Sequence, residues 1–234
     1  MPLWIIPIAA AGIVAIKAAD IVRSFPWPSG TPLPPTGRVP GHLDLCVVVV
    51  ALDARAAPFF QGVAHRDWGG QLAALRDSRA GWIAAAIRDT VPTELEIAHG
   101  MFERVAEDYR TRARSGALDV GPAGYRDVIR REPEVVVVSW VGLVDREIPD
   151  TPTEGAIRAS DVQVAIERLR AAGRLDLIKH AMVIAPSRGR LPASSVGTLY
   201  PELRPLVDPG VPTTFCERCT CPYDRAPCPN CGAS

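Results

Sequence analysis

Three apolar runs dominate the polarity pattern of the chain. Leu43 to Leu52 reads Leu-Asp-Leu-Cys-Val-Val-Val-Val-Ala-Leu, Glu134 to Val144 is rich in valine, and Ile178 to Ala185 is the third. Runs of β-branched residues with little polar alternation predict strands that are covered on both faces or lie centrally in a sheet. Cys46, inside the first run, reads as a core thiol.

Helical spacing fills the intervals. Gln71 to Asp89 places Leu72, Leu75, Trp82, Ile83 and Ile87 near one face among many alanines, and Pro92 ends it. Thr93 with Glu96 forms a capping box for a following helix, with Ile97, Met101, Val105 and Tyr109 as its stripe and basic residues at its end near Arg112–Gly116. Ser160 to Ala172 is the clearest helix. Ser160 and Gln163 form the box, Val162, Ala165, Ile166 and Leu169 the buried stripe, and Gly173 the C-cap. A strand–helix–strand unit around it predicts parallel strands. The expectation is an α+β domain over residues 42–209: a small sheet of about three main strands, in β-α-α-β-α-β order, packed with helices.

The N-terminus has another pattern. Leu3 to Ile16 carries no charge, and as a helix it is about 21 Å long. Extension to Val22 reaches about 30 Å, the thickness of a hydrocarbon core, and includes Lys17 and Asp20. Those two share a helix face and can pair, and Trp4 suits the opposite interface. Residues 1–23 therefore read as a membrane-anchor helix. A cleaved signal peptide lacks its basic n-region here, and a helix docked on protein is the third reading. With Lys17 and Arg23 following the anchor, the positive-inside rule puts the rest of the chain in the cytoplasm, single-pass at the inner membrane. Residues 24–41 hold six prolines and three glycines, and read as a spacer without helix.

Composition narrows the function classes. Hydrophobic content is 47% and charged content 22%, ordinary for a globular protein. Lysine plus arginine equals aspartate plus glutamate at 26 each, so no basic excess favours nucleic acid as a partner. Five of the 6 cysteines lie between Cys216 and Cys231. A secreted disulfide framework spreads its cysteines through the fold, whereas paired C-x-x-C units point to a metal in a reducing compartment.

Cys216-Glu-Arg-Cys219 and Cys228-Pro-Asn-Cys231-Gly232 are two such units. Each turn points two sulfurs inward, and two turns facing each other make a tetrahedral site. Cys216, Cys219, Cys228 and Cys231 are the candidate ligands, of Zn²⁺ first and of iron in a rubredoxin-like arrangement second, with disulfides or a redox dithiol as a further reading. Residues 210–234 then form a zinc-ribbon-like tail. Cys221 is a spare that can stand in for Cys219. Zinc with four thiolates carries −2, which Arg218 and Arg225 can offset, and metal binding supplies most of the folding energy of so small a segment. All four positions are filled, so such a site is structural and not catalytic.

Other constellations carry less. His65-Arg66-Asp67 copies the kinase catalytic-loop tripeptide, but Leu72 stands where that loop needs asparagine, and a polar turn is the simpler reading. Ser187-Arg-Gly-Arg190 lacks the glycine loop of a phosphate cradle and reads as a surface turn. His42, His65, His99 and His180 show no metal spacing. Asp53 and Arg55 follow the first strand and can pair.

Glu134-Val-Val-Val-Val-Ser-Trp-Val-Gly, Ser160-Asp-Val-Gln-Val-Ala-Ile-Glu-Arg-Leu, Met182-Val-Ile-Ala-Pro186 and Leu199-Tyr-Pro-Glu-Leu203 together resemble the strand, helix and ending of the domain-of-unknown-function 1517 family. The likeness spans about His42 to Val207. It departs from the family pattern at Ala185 and does not include the cysteine tail. The resemblance implies a membrane-associated protein with a hydrophobic anchor, and it carries over no catalytic residue.

The combined expectation is a membrane-anchored, non-catalytic interaction or scaffold protein with a protein partner and a structural zinc knuckle. An enzyme or small-molecule-binding regulator with a strand-end pocket near Asp53 and Ser187 is the alternative class, and rubredoxin-like electron transfer the second.

Overall fold

The valine-rich run beginning at His42 becomes the hub of the sheet. In a computed structural model, which describes residues 40–115, 133–145, 157–171, 177–209, 214–224 and 226–233, strand β1 (His42–Asp53) is buried along nearly its whole length. It pairs antiparallel with β2 (Trp82–Arg88) on one side and with β4 (Val135–Val144) on the other. β5 (Leu177–Ala185) lies outside β4, and β6 (Arg204–Pro205) outside β2. β3 (Thr93–Glu94) adds to the start of β1, so the 6-stranded sheet has the order β5-β4-β1-β2-β6 with β3 off that path.

Alternation along β1 explains why both faces must be covered. Cys46, Val48, Val50 and Leu52 point into one core, and Leu45, Val47, Val49 and Ala51 into the other. The first core is closed by α1 (Ala57–Val63), α2 (Trp68–Asp77) and α4 (Ala159–Ala171). The second is closed by α3 (Leu95–Ser115) and neighbours the short α5 (Ala193–Leu199). The α+β class is as expected, but the sheet has more strands than the three apolar runs predicted.

The additional long strand comes out of the predicted helix Gln71–Asp89. The helix stops at Asp77, where the Ser78 hydroxyl donates back to the Leu75 carbonyl, and Arg79–Gly81 forms one 3₁₀ turn. Trp82 then opens β2, fully buried, with its indole N–H donated to Ser78 Oγ at 3.1 Å. The helix preference of Ala84, Ala85 and Ala86 is a few tenths of a kcal/mol each, and the buried tryptophan and the ladder to β1 outweigh it.

The predicted stripe of the next helix is rotated by one position. Thr93 pairs with Leu43 as part of β3, and its hydroxyl donates to the Val91 carbonyl instead of capping. The buried positions of α3 are Ala98, Phe102, Ala106, Tyr109 and Ala113, while Ile97 is half exposed. Alanines let the helix lie close on the sheet, and Phe102 and Tyr109 fill what remains. In α4 the stripe Val162, Ala165, Ile166 and Leu169 is buried as predicted. The helix start differs, since Asp161 accepts from the Arg158 amide and Asp208 from the Ala159 amide.

β4 and β5 are antiparallel, contrary to the crossover expectation. Ile157 bridges Leu206 beside Ile83, at the end of the sheet where β4 begins. α4 therefore starts near the end of the sheet where β4 begins, whereas β5 starts at the other end, with Leu177 opposite Val144, and so runs antiparallel to β4.

The anchor predicted for residues 1–23 and nearly all of the 24–41 spacer lie outside the described residues, as do Gly173 and Arg225. No helix of the described residues is long and apolar enough to cross a membrane.

Candidate metal centre

Two short turns build the tail. β7 (Thr214–Phe215) and β8 (Pro222–Tyr223) form a hairpin around the first C-x-x-C unit, and the second unit follows at Cys228. The same backbone turn is made twice. The Cys216 amide donates to the Cys221 carbonyl at 3.0 Å, and the Cys228 amide to the Ala233 carbonyl at 2.7 Å. The Thr220 amide donates to Cys216 O at 2.7 Å, and the Gly232 amide to Cys228 O at 2.8 Å. Both residues after the second cysteine take the left-handed backbone region, with φ of 56° at Thr220 and 70° at Gly232. Glycine adopts that conformation freely, and threonine pays a strain held by the surrounding turn.

These turns aim four sulfurs at one point. The Sγ atoms of Cys216, Cys219, Cys228 and Cys231 all lie within 4.8 Å of one another. Cys216 and Cys231 are 3.5 Å apart, and Cys219 and Cys228 are 3.6 Å apart. Ligands about 2.3 Å from a tetrahedral ion stand about 3.8 Å from each other, so the cluster can hold one metal ion without large movement.

The electrostatics are those of a shared anionic site. Burial pushes the Cys216 thiol up, but the Cys219 and Arg218 amides and contacts with Cys231 and Cys219 bring it down to about 7. Burial raises the Cys219 thiol, although Asn230 and the Cys221 amide donate to it. At Cys231 the Ala233 amide favours the thiolate, yet burial and its contacts with Cys216 and Cys219 leave the thiol raised. One thiolate is accommodated by amides and neighbouring thiols, and four gathered thiolates need a cation.

Cys221 is placed differently. By the repeat of the turn it corresponds to Ala233, one position past the left-handed residue. Its side chain is fully buried, with Sγ 3.8 Å from the Asp77 carbonyl at the end of α2, and burial holds its thiol far above the ordinary range. It serves as a plug between tail and domain, and although its thiol contacts Cys228 it is not one of the four sulfurs that converge.

The tail is also docked on the domain. Cys216, Cys221 and Cys228 belong to the first hydrophobic core, with Phe215 and Tyr223 packed against it. A Cβ on Gly81 would come within 2.8 Å of Pro222 Cγ, so the 3₁₀ turn before β2 and strand β8 touch through a glycine. The Arg55 guanidinium lies 4.3 Å from the centre of the Phe215 ring. Arg66 donates to Asn230 Oδ1 at 3.2 Å, and Asn230 in turn donates to Cys219.

That last chain was missed in the sequence. His65-Arg66-Asp67 is the polar turn expected, with Asp67 capping α2 by accepting from the Gly70 amide, but Arg66 also reaches the sulfur cluster through Asn230. Only the proximity of the two segments in the fold could have shown it. Asp53, at the end of β1, is tied to Arg55 by two side-chain hydrogen bonds of 3.0 Å. His180 lies on β5 and His99 on α3. Cys46 is a buried core thiol, raised by burial and by the adjacent Asp44. Ser187 sits in the turn after β5, its amide donating to the Ala113 carbonyl.

No family model matches the chain, and no curated protein and no solved structure matches it.

Proposed function

We propose that this protein is a non-catalytic interaction or scaffold module, anchored at the cytoplasmic face of the inner membrane by residues 1–23, with a structural Zn²⁺ bound by Cys216, Cys219, Cys228 and Cys231. The carrying observation is the convergence of four sulfurs from two equivalent turns, all within 4.8 Å. Such a tetrad fills every position of a tetrahedral ion and leaves none for substrate or water. Thiolates of this kind persist where the surroundings are reducing, in keeping with a cytoplasmic location. The anchor rests on the length and flanks of the Leu3–Val22 segment and on the likeness to the domain-of-unknown-function 1517 family.

The test measures metal and membrane behaviour on one preparation. Purified full-length chain carries about one equivalent of zinc and is colourless. It needs detergent, and removal of residues 1–41 abolishes that need. A metal-free, folded tail sinks the zinc reading, and an intact chain that is freely soluble without detergent sinks the anchor.

Iron is the second reading. The paired turns with amides donated to sulfur also suit a rubredoxin-like centre, which makes the protein an electron carrier. A red preparation with visible absorption decides for it. The strand-end enzyme reading has less support. Asp53 is engaged by Arg55, and the cleft that holds Ser187 is lined by arginines and apolar groups.

A further inference from the structure

β5 is the last strand of the sheet. It pairs with β4 on one side, and no described strand lies on the other. Its nine residues, Leu-Ile-Lys-His-Ala-Met-Val-Ile-Ala, contain neither proline nor an acidic residue. A long apolar edge presents unpaired backbone groups and is a template for another strand, unless something covers it.

A cleft of about 730 Å³ runs against this edge. Its walls are Arg110 and Arg114 from the last turns of α3, Met182, Val183 and Ile184 from β5, and Arg188 from the turn beyond. The charge there is unbalanced. Neighbouring cations each have a carboxylate: Lys179 meets Glu103, Arg112 meets Glu202 and Asp108, and Arg190 meets Glu134. Arg110 and Arg114 share the single Glu107, and no described residue pairs with Arg188. The chain as a whole is neutral, so this surplus is local.

We propose that the edge of β5 that no described strand pairs receives an extended acidic segment of a partner protein, which adds as a strand and sets carboxylates against Arg110, Arg114 and Arg188. Backbone hydrogen bonds supply the register-independent part of the affinity, and side chains on alternate positions supply the choice of partner. Val183 faces the core under α3, whereas Met182 and Ile184 pack toward the opposite core. The added strand therefore carries acidic residues at the positions facing α3 and apolar residues at the positions between. A second copy of this chain is a poor occupant, because β5 brings Lys179 and no carboxylate to such a pairing. This assignment rests on the interaction reading above and gives it a partner chemistry, and it is independent of the metal.

The test uses full-length protein in detergent and a fluorescein-labelled octapeptide of alternating glutamate and valine, read by fluorescence anisotropy at low salt, with zinc content measured on the same samples. The peptide binds, its lysine-for-glutamate counterpart does not, and R188E weakens binding by about tenfold or more. Peptides N-methylated along one backbone edge lose binding by a similar factor, while those methylated along the other edge keep it. Absence of binding overturns the proposal. So does equal tolerance of both methylated peptides, which means contact by charge alone, and so does full displacement by millimolar inorganic phosphate, which means a small-anion site. A concentration-dependent dimer of the chain that R188E dissolves assigns the edge to a second copy and also overturns it. If these fail while affinity capture of the full chain still recovers companions that survive R188E, the edge assignment alone is lost and the interaction role stands.

Discussion

At the scale of single residues, the tail separates two kinds of cysteine by a backbone repeat. Cys219 and Cys231 occupy one position of the turn, and Cys221 and Ala233 another. Cys221→Ala therefore keeps about one equivalent of metal and costs about 1 kcal/mol from lost packing, whereas Cys219→Ser lowers metal content sharply. Zinc released to a chromogenic chelator distinguishes the two, and metal loss in Cys221→Ala would make it a ligand after all. A second residue-scale device lies under α3. Glu202, whose side chain is 2% exposed, accepts from the Tyr109 hydroxyl at 3.0 Å and from Arg112 Nη1 at 2.8 Å. The Arg112 guanidinium also stands 5.1 Å and 5.7 Å from the Tyr109 and Tyr200 ring centres. Arg112→Ala strands a buried carboxylate and should cost about 3–5 kcal/mol in urea unfolding, and Arg112→Met with Glu202→Gln should recover much of that loss. The four-cysteine cluster was legible from spacing alone, because C-x-x-C is a local geometry. Tyr109 to Glu202 was not, because its partners lie 93 positions apart.

At the scale of elements, legibility followed how much of the decision was local. Three runs of β-branched residues read correctly as strands, although β5 is a half-exposed edge strand and neither central nor covered on both faces as its run predicted, and the α4 stripe was found position by position. Trp82–Arg88 was misread because its alanines fit a helix, while the ladder to β1 and the burial of Trp82 are long-range. Gly81 marks the boundary that the spacing argument overran. It separates α2 from β2 and lets Pro222 approach, so the same glycine ends one element and seats another. Gly81→Ala should cost about 1–3 kcal/mol, since the new methyl meets Pro222 at 2.8 Å. Gly62→Ala is the internal control: it lies in α1 with nothing within 4 Å of its would-be Cβ, and should stabilise by about 0.5–1 kcal/mol. Thermal melts of the two variants in opposite directions would support the contact, and a neutral Gly81→Ala would remove it.

At the scale of the molecule, the question is whether an ion bound by the four cysteines would hold only its own turns or the domain as well. The tail meets the domain at separate places along the chain: Arg55 on Phe215, Arg66 on Asn230, the Asp77 carbonyl at Cys221, and Gly81 under Pro222. These contacts cover the end of the sheet where Trp82 is buried, and Cys216, Cys221 and Cys228 share its core. Stripping an ion from the sulfur cluster forfeits the free energy of its binding, about 10–16 kcal/mol for comparable zinc sites, much of which holds the turns themselves folded. The remainder must appear as loss of the covered surface over the first core. If that loss is about 3 kcal/mol, the melting midpoint of the domain falls by about 6–12 °C on chelation. The tryptophan band of the near-ultraviolet circular dichroism should weaken with it, because the packing around Trp82 loosens. A tail that merely hangs from the domain gives the opposite record, in which chelation strips the metal and leaves both the midpoint and the tryptophan band unchanged. Gly81→Ala provides the coupled measurement, since a variant that unseats Pro222 should bind zinc more weakly even though no ligand has been altered, by the reciprocity that links any two events sharing one interface.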